Sequence, residues 1–107
     1  MEKKNKNSYL EEHVFHGLNN LNDGFDSRTI KYFSASDFDI VLLRVEKMGI
    51  EIYGIEVWKD GEFFDVLSFE DFDTTPGNPG WYWKAFQKFS GMQEELLYSA
   101  SYHIPRS

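Results

Sequence analysis

Residues 50–69 read IEIYGIEVWKDGEFFDVLSF, and this stretch decides the expected fold. Two runs rich in β-branched and aromatic residues, 50–58 and 62–69, flank an Asp60-Gly61 corner. Asp-Gly between two such runs is a strong signal for a β-hairpin, because a type I′ turn needs a positive φ at both central residues. The stretch therefore predicts an antiparallel hairpin.

The first run of the hairpin contains one irregularity. Gly54 separates Ile50 and Ile52 from Ile55 and Val57, so a strict two-residue alternation would put the two pairs on opposite faces. A β-bulge inserts one extra residue and would return both pairs to the same face. We therefore expect a bulge at Gly54.

Helices are predicted on both sides of the hairpin. Residues 36–48 carry an apolar stripe at helical spacing, with Ser36 as a candidate N-cap and Gly49 as the residue that ends the helix. A second helix is predicted after the loop 74–80, with Asn78 as its N-cap and Pro79 at its first position.

Three further segments complete the expected architecture. Residues 8–23 have leucine and valine at helical spacing, 28–34 resemble a short strand, and 96–104 alternate between apolar and polar residues. After the first helix this order is βαββαβ, the arrangement of ferredoxin-like folds. We expect a single α+β domain over residues 8–107, a two-layer sandwich with a four-stranded antiparallel sheet, preceded by a flexible basic leader over residues 1–7.

Composition limits the class of protein. The chain has 107 residues, enough for one domain with its own core, and no cysteine, which excludes disulfides and thiolate metal sites. It contains no apolar run as long as a membrane span, and its N-terminus lacks the apolar stretch of a signal peptide. These features predict a cytoplasmic protein that does not associate with membranes.

The negative charge is concentrated around the hairpin. The net charge is −7, and residues 49–73 contain eight acidic residues against Lys59 alone. Such a field repels nucleic acid and attracts basic proteins or cations. We therefore expect a basic protein partner and no nucleic acid.

The hairpin also has apolar side chains on both of its faces. In an open two-layer sandwich the helices cover only one face of the sheet. The second face must then be covered by the N-terminal helix, by another subunit or by a partner protein. We expect the partner-binding surface to combine acidic and aromatic side chains, namely Trp58, Asp60, Glu62, Phe63, Asp65, Glu70, Asp71, Asp73 and Trp81.

No motif for catalysis, a metal or a cofactor is found. His13 and His16 have a spacing that could place two imidazoles on one helical face, but no motif supplies a third ligand. The segment after Asp71 resembles a calcium loop but has Tyr82 at the twelfth position, where such loops have glutamate. The glycines follow neither the dinucleotide nor the P-loop spacing. We expect no enzyme activity, metal or cofactor.

The acidic and aromatic stretch IEVWKDGEFFDVLSFEDFD, in a small cysteine-free α+β domain, resembles the immunity proteins of bacterial polymorphic toxin systems, including those of contact-dependent growth inhibition. The resemblance implies a cytoplasmic inhibitor that binds and neutralises a cognate toxin, commonly a nuclease. Two alternatives stay open: a homodimeric regulatory or adaptor domain, and an enzyme of unrecognised type that uses carboxylates near residues 60–73.

Overall fold

A computed structural model describes residues 6–104, which form an α+β fold with three α-helices and a three-stranded antiparallel sheet. In chain order the elements are α1 (Lys6–Leu10), continued by a π-helical turn (Glu11–Phe15), α2 (Ala35–Met48), β1 (Glu51–Lys59), β2 (Glu62–Ser68), a 3₁₀ turn (Phe69–Phe72), α3 (Pro79–Ser90) and β3 (Leu97–His103). Of the predicted leader, residues 1–5 lie outside the described residues, and residues 6 and 7 belong to α1. Within residues 6–104, no helix combines the length and the apolar character needed to cross a membrane.

The predicted hairpin is confirmed. β1 and β2 pair antiparallel and turn at Asp60 and Gly61, whose φ angles of 52° and 77° match the requirement of the turn. The predicted bulge is also confirmed, since the register between β1 and β3 shifts between Ile52 and Gly54. As a result Ile52 and Ile55 both point into the core.

The two long helices are confirmed, with one corrected end. The N-cap of α2 is Ser34, whose side chain accepts a hydrogen bond from the N–H of Asp37, so the expected cap at Ser36 is wrong. α2 ends at Gly49, in the left-handed conformation, as predicted. The N-cap of α3 is Asn78, also as predicted.

The predicted four-stranded, ferredoxin-like sheet is wrong. The sheet has three strands in the order β2-β1-β3, with β1 in the centre. Residues 28–34, the expected fourth strand, pair with β3 only at Phe33, whose N–H and C=O both bond to Tyr98 at 2.9 and 2.8 Å. One bridge of this kind extends the edge of β3 without adding a strand.

Asparagine side chains explain why this segment is a loop. Asn22 Nδ2 donates to the carbonyl oxygens of Ser27 and Ile30, and Asn22 Oδ1 accepts from the N–H of Gly24. Asn20 Oδ1 accepts from the N–H of Tyr32. Side chains that take backbone partners in this way compete with strand pairing. The β-propensity of residues 28–34 therefore does not produce a strand.

The N-terminal helix is shorter than predicted and lies elsewhere. It ends at Phe15, close to Gly17 with its φ of 80°, instead of continuing to residue 23. It packs beside α2, where Arg44 Nη1 donates to the carbonyl oxygens of Val14 and His16 at 2.8 Å. Leu10, Val14 and Phe15 are buried in the main core, on the helix side of the sheet. The N-terminal helix therefore does not cover the outer face.

Candidate functional site

The outer face of the sheet is partly covered by the loop that follows the N-terminal helix. Val57 points into the core, so its neighbour Trp58 projects from the opposite face. The ring of Trp58 packs against Phe25 and Tyr32, with centroids 5.1 and 5.8 Å apart. On its other side it meets Phe63 of β2, at 6.3 Å. Trp58 is thus half-buried and joins the loop to the hairpin.

A polar cluster fastens this loop to the sheet. Tyr32 Oη donates to Asp26 Oδ2 at 2.6 Å and lies 3.2 Å from Glu56 Oε2, which also accepts from Trp58 Nε1. Burial, and then the hydrogen bond to Asp26, raise the pKa of Tyr32 well above its ordinary value, so the hydroxyl keeps its proton. The loop is therefore held by a bond to a charged group as well as by ring packing.

The strand β2 presents apolar side chains to solvent. Phe63 and Val66, opposite Trp58 and Glu56 in the register, lie on the outer face and are 54% and 46% exposed. Phe64 is 40% exposed and falls in a second bulge, since Asp65 pairs with Val57 and Phe63 with Trp58. These exposed apolar side chains on an edge strand make β2 a candidate binding surface.

Two of the predicted carboxylates also have local structural roles. Asp65 Oδ1 accepts from the N–H of Val66 at 2.8 Å. Asp71 Oδ2 accepts from the N–H of Ser68 at 2.8 Å, and Ser68 and Asp71 together form the capping box of the 3₁₀ turn. Substitution of Asp65 or Asp71 would therefore change the backbone as well as the surface charge.

The other predicted carboxylates are exposed. Asp60 and Asp73 occupy left-handed backbone positions, one in the hairpin turn and one after the 3₁₀ turn. The side-chain carboxylates of Glu62 and Glu70 accept no hydrogen bond from residues 6–104, and both are exposed to solvent. β2 spans about 20 Å, at about 3.3 Å per residue, so these carboxylates form two groups at opposite ends of the strand.

The single base of the hairpin is already paired. Lys59 Nζ lies 2.6 Å from Glu94 Oε1, and this hydrogen bond raises the pKa of Lys59. Lys59 therefore balances a carboxylate outside the hairpin and leaves the hairpin's own acids unneutralised.

Trp81 does not belong to this surface. It is 2% exposed and packs against Phe72 and Tyr82, with ring centroids 5.9 and 6.0 Å apart. At the first turn of α3 it closes the contact with the 3₁₀ turn, so a partner cannot reach it. We correct the predicted surface by removing Trp81.

The two histidines of the N-terminal segment lie in different surroundings. His13 is half-buried against the ring of Tyr9, 4.5 Å away, whereas His16 lies beyond the end of the helix in extended backbone. Among residues 6–104, no three His, Cys, Asp or Glu side chains are grouped so that they could hold a metal ion.

The structure adds a groove that sequence reasoning missed. It has a volume of about 600 Å³ and lies where the hairpin turn meets the loop and the segment before β3. Its lining includes Asp23, Phe25, Asp60, Glu95 and Leu97. The Glu94-Glu95 pair before β3 is the one signal in the sequence, but nothing local connects it with the hairpin turn.

Comparison with known proteins gives no relative for this chain: no family model matches it, and neither a curated protein nor a solved structure does.

Proposed function

We propose that this protein is a cytoplasmic inhibitor that binds and neutralises a cognate bacterial toxin, a nuclease, through the hairpin surface formed by Trp58, Asp60, Glu62, Phe63 and Asp65. It acts by binding and has no catalytic activity of its own. The observation that carries the proposal is Phe63, which is 54% exposed between carboxylates while the nearby base is paired with Glu94.

The two kinds of side chain have different roles in this proposal. Exposed ion pairs are each worth little, typically less than about 1 kcal/mol, so the carboxylates act mainly on the rate of association and on the choice of partner. A desolvated aromatic supplies the centre of an interface, and Phe63 is the most exposed aromatic of the hairpin. Glu70 and Asp73, at the far end of β2, extend the acidic field.

A nuclease is the partner that this charge favours. An enzyme that binds phosphate backbones presents a basic cleft, and an acidic protein surface can occupy or flank such a cleft. The first test is genetic: the gene next to this one is expressed alone and together with this protein. Growth arrest relieved by co-expression is the expected result, and the absence of toxicity or of rescue would refute the assignment.

The second test separates charge from contact, by stopped-flow kinetics with the purified toxin. Glu62→Lys and Glu70→Lys should slow association several-fold and flatten its salt dependence, with little change in dissociation. Phe63→Ala should mainly speed dissociation, by tenfold or more. Leu43→Ala is the matched control, since Leu43 is 55% exposed on α2, and it should change neither rate. If none of these variants alters binding, the surface is wrong even if the toxin is right.

The open edge of β2 favours a homodimeric adaptor as the second candidate. Its exposed apolar side chains could pair with a second copy, but a two-fold pairing centred on Asp65 would place two carboxylates directly opposite each other, which is destabilising. Light scattering after size exclusion distinguishes the two: a monomer supports the inhibitor, and a dimer disrupted by Phe63→Ala supports the adaptor.

A further inference from the structure

The groove beside the hairpin turn combines an apolar floor with acidic walls. Leu21, Phe25 and Leu97 supply apolar surface, and Asp23 and Glu95 are exposed carboxylates along it. Its volume of about 600 Å³ lies within the range of about 300–1,000 Å³ that is typical of ligand pockets. It is larger than a single side chain needs, so it can hold a short stretch of a partner protein.

The groove is held open by contacts described above. The loop that forms one wall is fastened to the sheet by Tyr32, whose hydroxyl lies 3.2 Å from Glu56 Oε2 of β1. The turn that forms another wall approaches this loop closely, since a Cβ on Gly61 would lie 3.9 Å from the Cβ of Phe25. The shape therefore depends on tertiary packing and not on one mobile side chain.

The charge of the lining selects a cation. Among residues 6–104, four carboxylates and no basic residue line the groove, and one of the four, Glu94, is already paired with Lys59. The remaining three are Asp23, Asp60 and Glu95. Among residues 6–104, no three such side chains are grouped closely enough to hold a metal ion. Carboxylates spread beside an aromatic ring suit a guanidinium group, which is planar, donates several hydrogen bonds and stacks on rings.

We propose that this groove receives an arginine side chain, with its apolar neighbours, from a loop of the basic partner protein. The groove adjoins the hairpin surface: Phe25 packs on Trp58, and Trp58 packs on Phe63. One partner can therefore cover both. This inference rests on the proposed function and names the chemistry that the partner must bring to it.

The first experiment is an NMR titration of the labelled protein with the capped tripeptide acetyl-Leu-Arg-Leu-amide. Amide shifts should change at residues 21–25, 60–61 and 94–97. The lysine peptide should bind at least threefold more weakly, and the citrulline peptide, which keeps the shape but has no charge, at least tenfold more weakly. Shift changes confined to other residues, or equal binding of the citrulline peptide, would overturn the proposal.

Two variants test the site without disturbing the core. Glu95→Gln should weaken binding of the arginine peptide at least threefold, whereas Glu51→Gln, the same change at the far end of β1, should leave it unchanged. Ala35→Phe, at an exposed position of the lining, should block the groove and abolish binding with every carboxylate still in place. Equal effects of the two glutamine variants would refute the assignment.

A further arm distinguishes a protein loop from a small ligand. If N-acetylarginine amide binds as tightly as the tripeptide, the occupant is a small cation and the loop proposal falls. If the tripeptide does not bind in the groove but a cognate toxin binds the hairpin surface, this inference fails and the proposed function stands. If the tripeptide binds as expected but no toxic neighbour is found, the proposed function fails and the arginine site stands.

Discussion

The change Tyr32→Phe tests how the loop is held on the outer face of the sheet. It removes only the hydroxyl group and keeps a ring that is fully buried between Phe25 and Trp58. That hydroxyl donates to Asp26 at 2.6 Å and lies 3.2 Å from Glu56. Without it, Glu56 still accepts from Trp58 Nε1 and Asp26 still accepts from the N–H of Ser27, but both carboxylates lose the hydroxyl donor.

The expected magnitude follows from these contacts. A hydrogen bond to a charged group contributes about 1.5–3 kcal/mol, because its loss removes a donor from a partly buried charge. We expect Tyr32→Phe to lower the free energy of unfolding by about 2 kcal/mol at pH 7. For a domain of 107 residues the entropy of unfolding is about 0.22 kcal/mol/K, so the midpoint of thermal unfolding should fall by roughly 9 °C.

Urea unfolding followed by tryptophan fluorescence measures the loss directly. Tyr53→Phe is the matched control, because Tyr53 lies on β1 and is exposed, and its ring contacts Phe69 and His103. It should change stability by less than about 0.5 kcal/mol, as surface substitutions usually do. Equal losses in the two variants would show that Tyr32 does not anchor the loop by its hydroxyl.

Three further predictions concern the core, high pH and metals. Phe86→Ala should lower the free energy of unfolding by roughly 3–5 kcal/mol in chemical denaturation, because it leaves a cavity in the core. Gln87→Ala, on the exposed side of α3, should leave the free energy of unfolding almost unchanged. A loss below about 1 kcal/mol for Phe86→Ala would show that Phe86 is not a core residue. Burial raises the pKa of Tyr82 to about 12. The contribution of Tyr82 to stability is therefore complete below pH 10 and is lost as the pH rises towards 12. A free energy of unfolding in urea that stays the same from pH 9 to pH 11 would contradict this. Elemental analysis should find no stoichiometric zinc or calcium, and a metal lost in His13→Ala would revive the histidine pair.

The candidate site could be predicted only in part. Phe63 and Glu62 were recognisable because acidic and aromatic residues are neighbours along β2, and the structure leaves both exposed. The burial of Trp81 could not be predicted, because it depends on contact with the 3₁₀ turn. The structural role of Asp71 was missed for a related reason, since the capping box appears only once the turn after Ser68 has formed.

Local signals were sufficient for the hairpin, its bulge, the C-terminal end of α2 and the N-cap of α3. The hairpin turn and the end of α2 both require a positive φ, which few residue types adopt easily. Asp60-Gly61 and Gly49 provide it, so the positions of the turn and of the helix end can be predicted from the sequence. The bulge near Gly54 follows from the need to keep Ile52 and Ile55 on one face.

The sequence by itself thus determined the elements whose geometry depends on neighbouring residues, namely the hairpin and the two long helices. It also determined where the negative charge is concentrated along the chain. Only the tertiary structure decided what covers the outer face and where the groove lies. Segments 28–34 and 96–104 both have strand-like residues, but asparagine side chains hold the first as a loop and β1 pairs with the second. The groove joins segments around residues 23, 60 and 95, and long-range contacts of this kind have no periodicity along the chain by which they could be predicted.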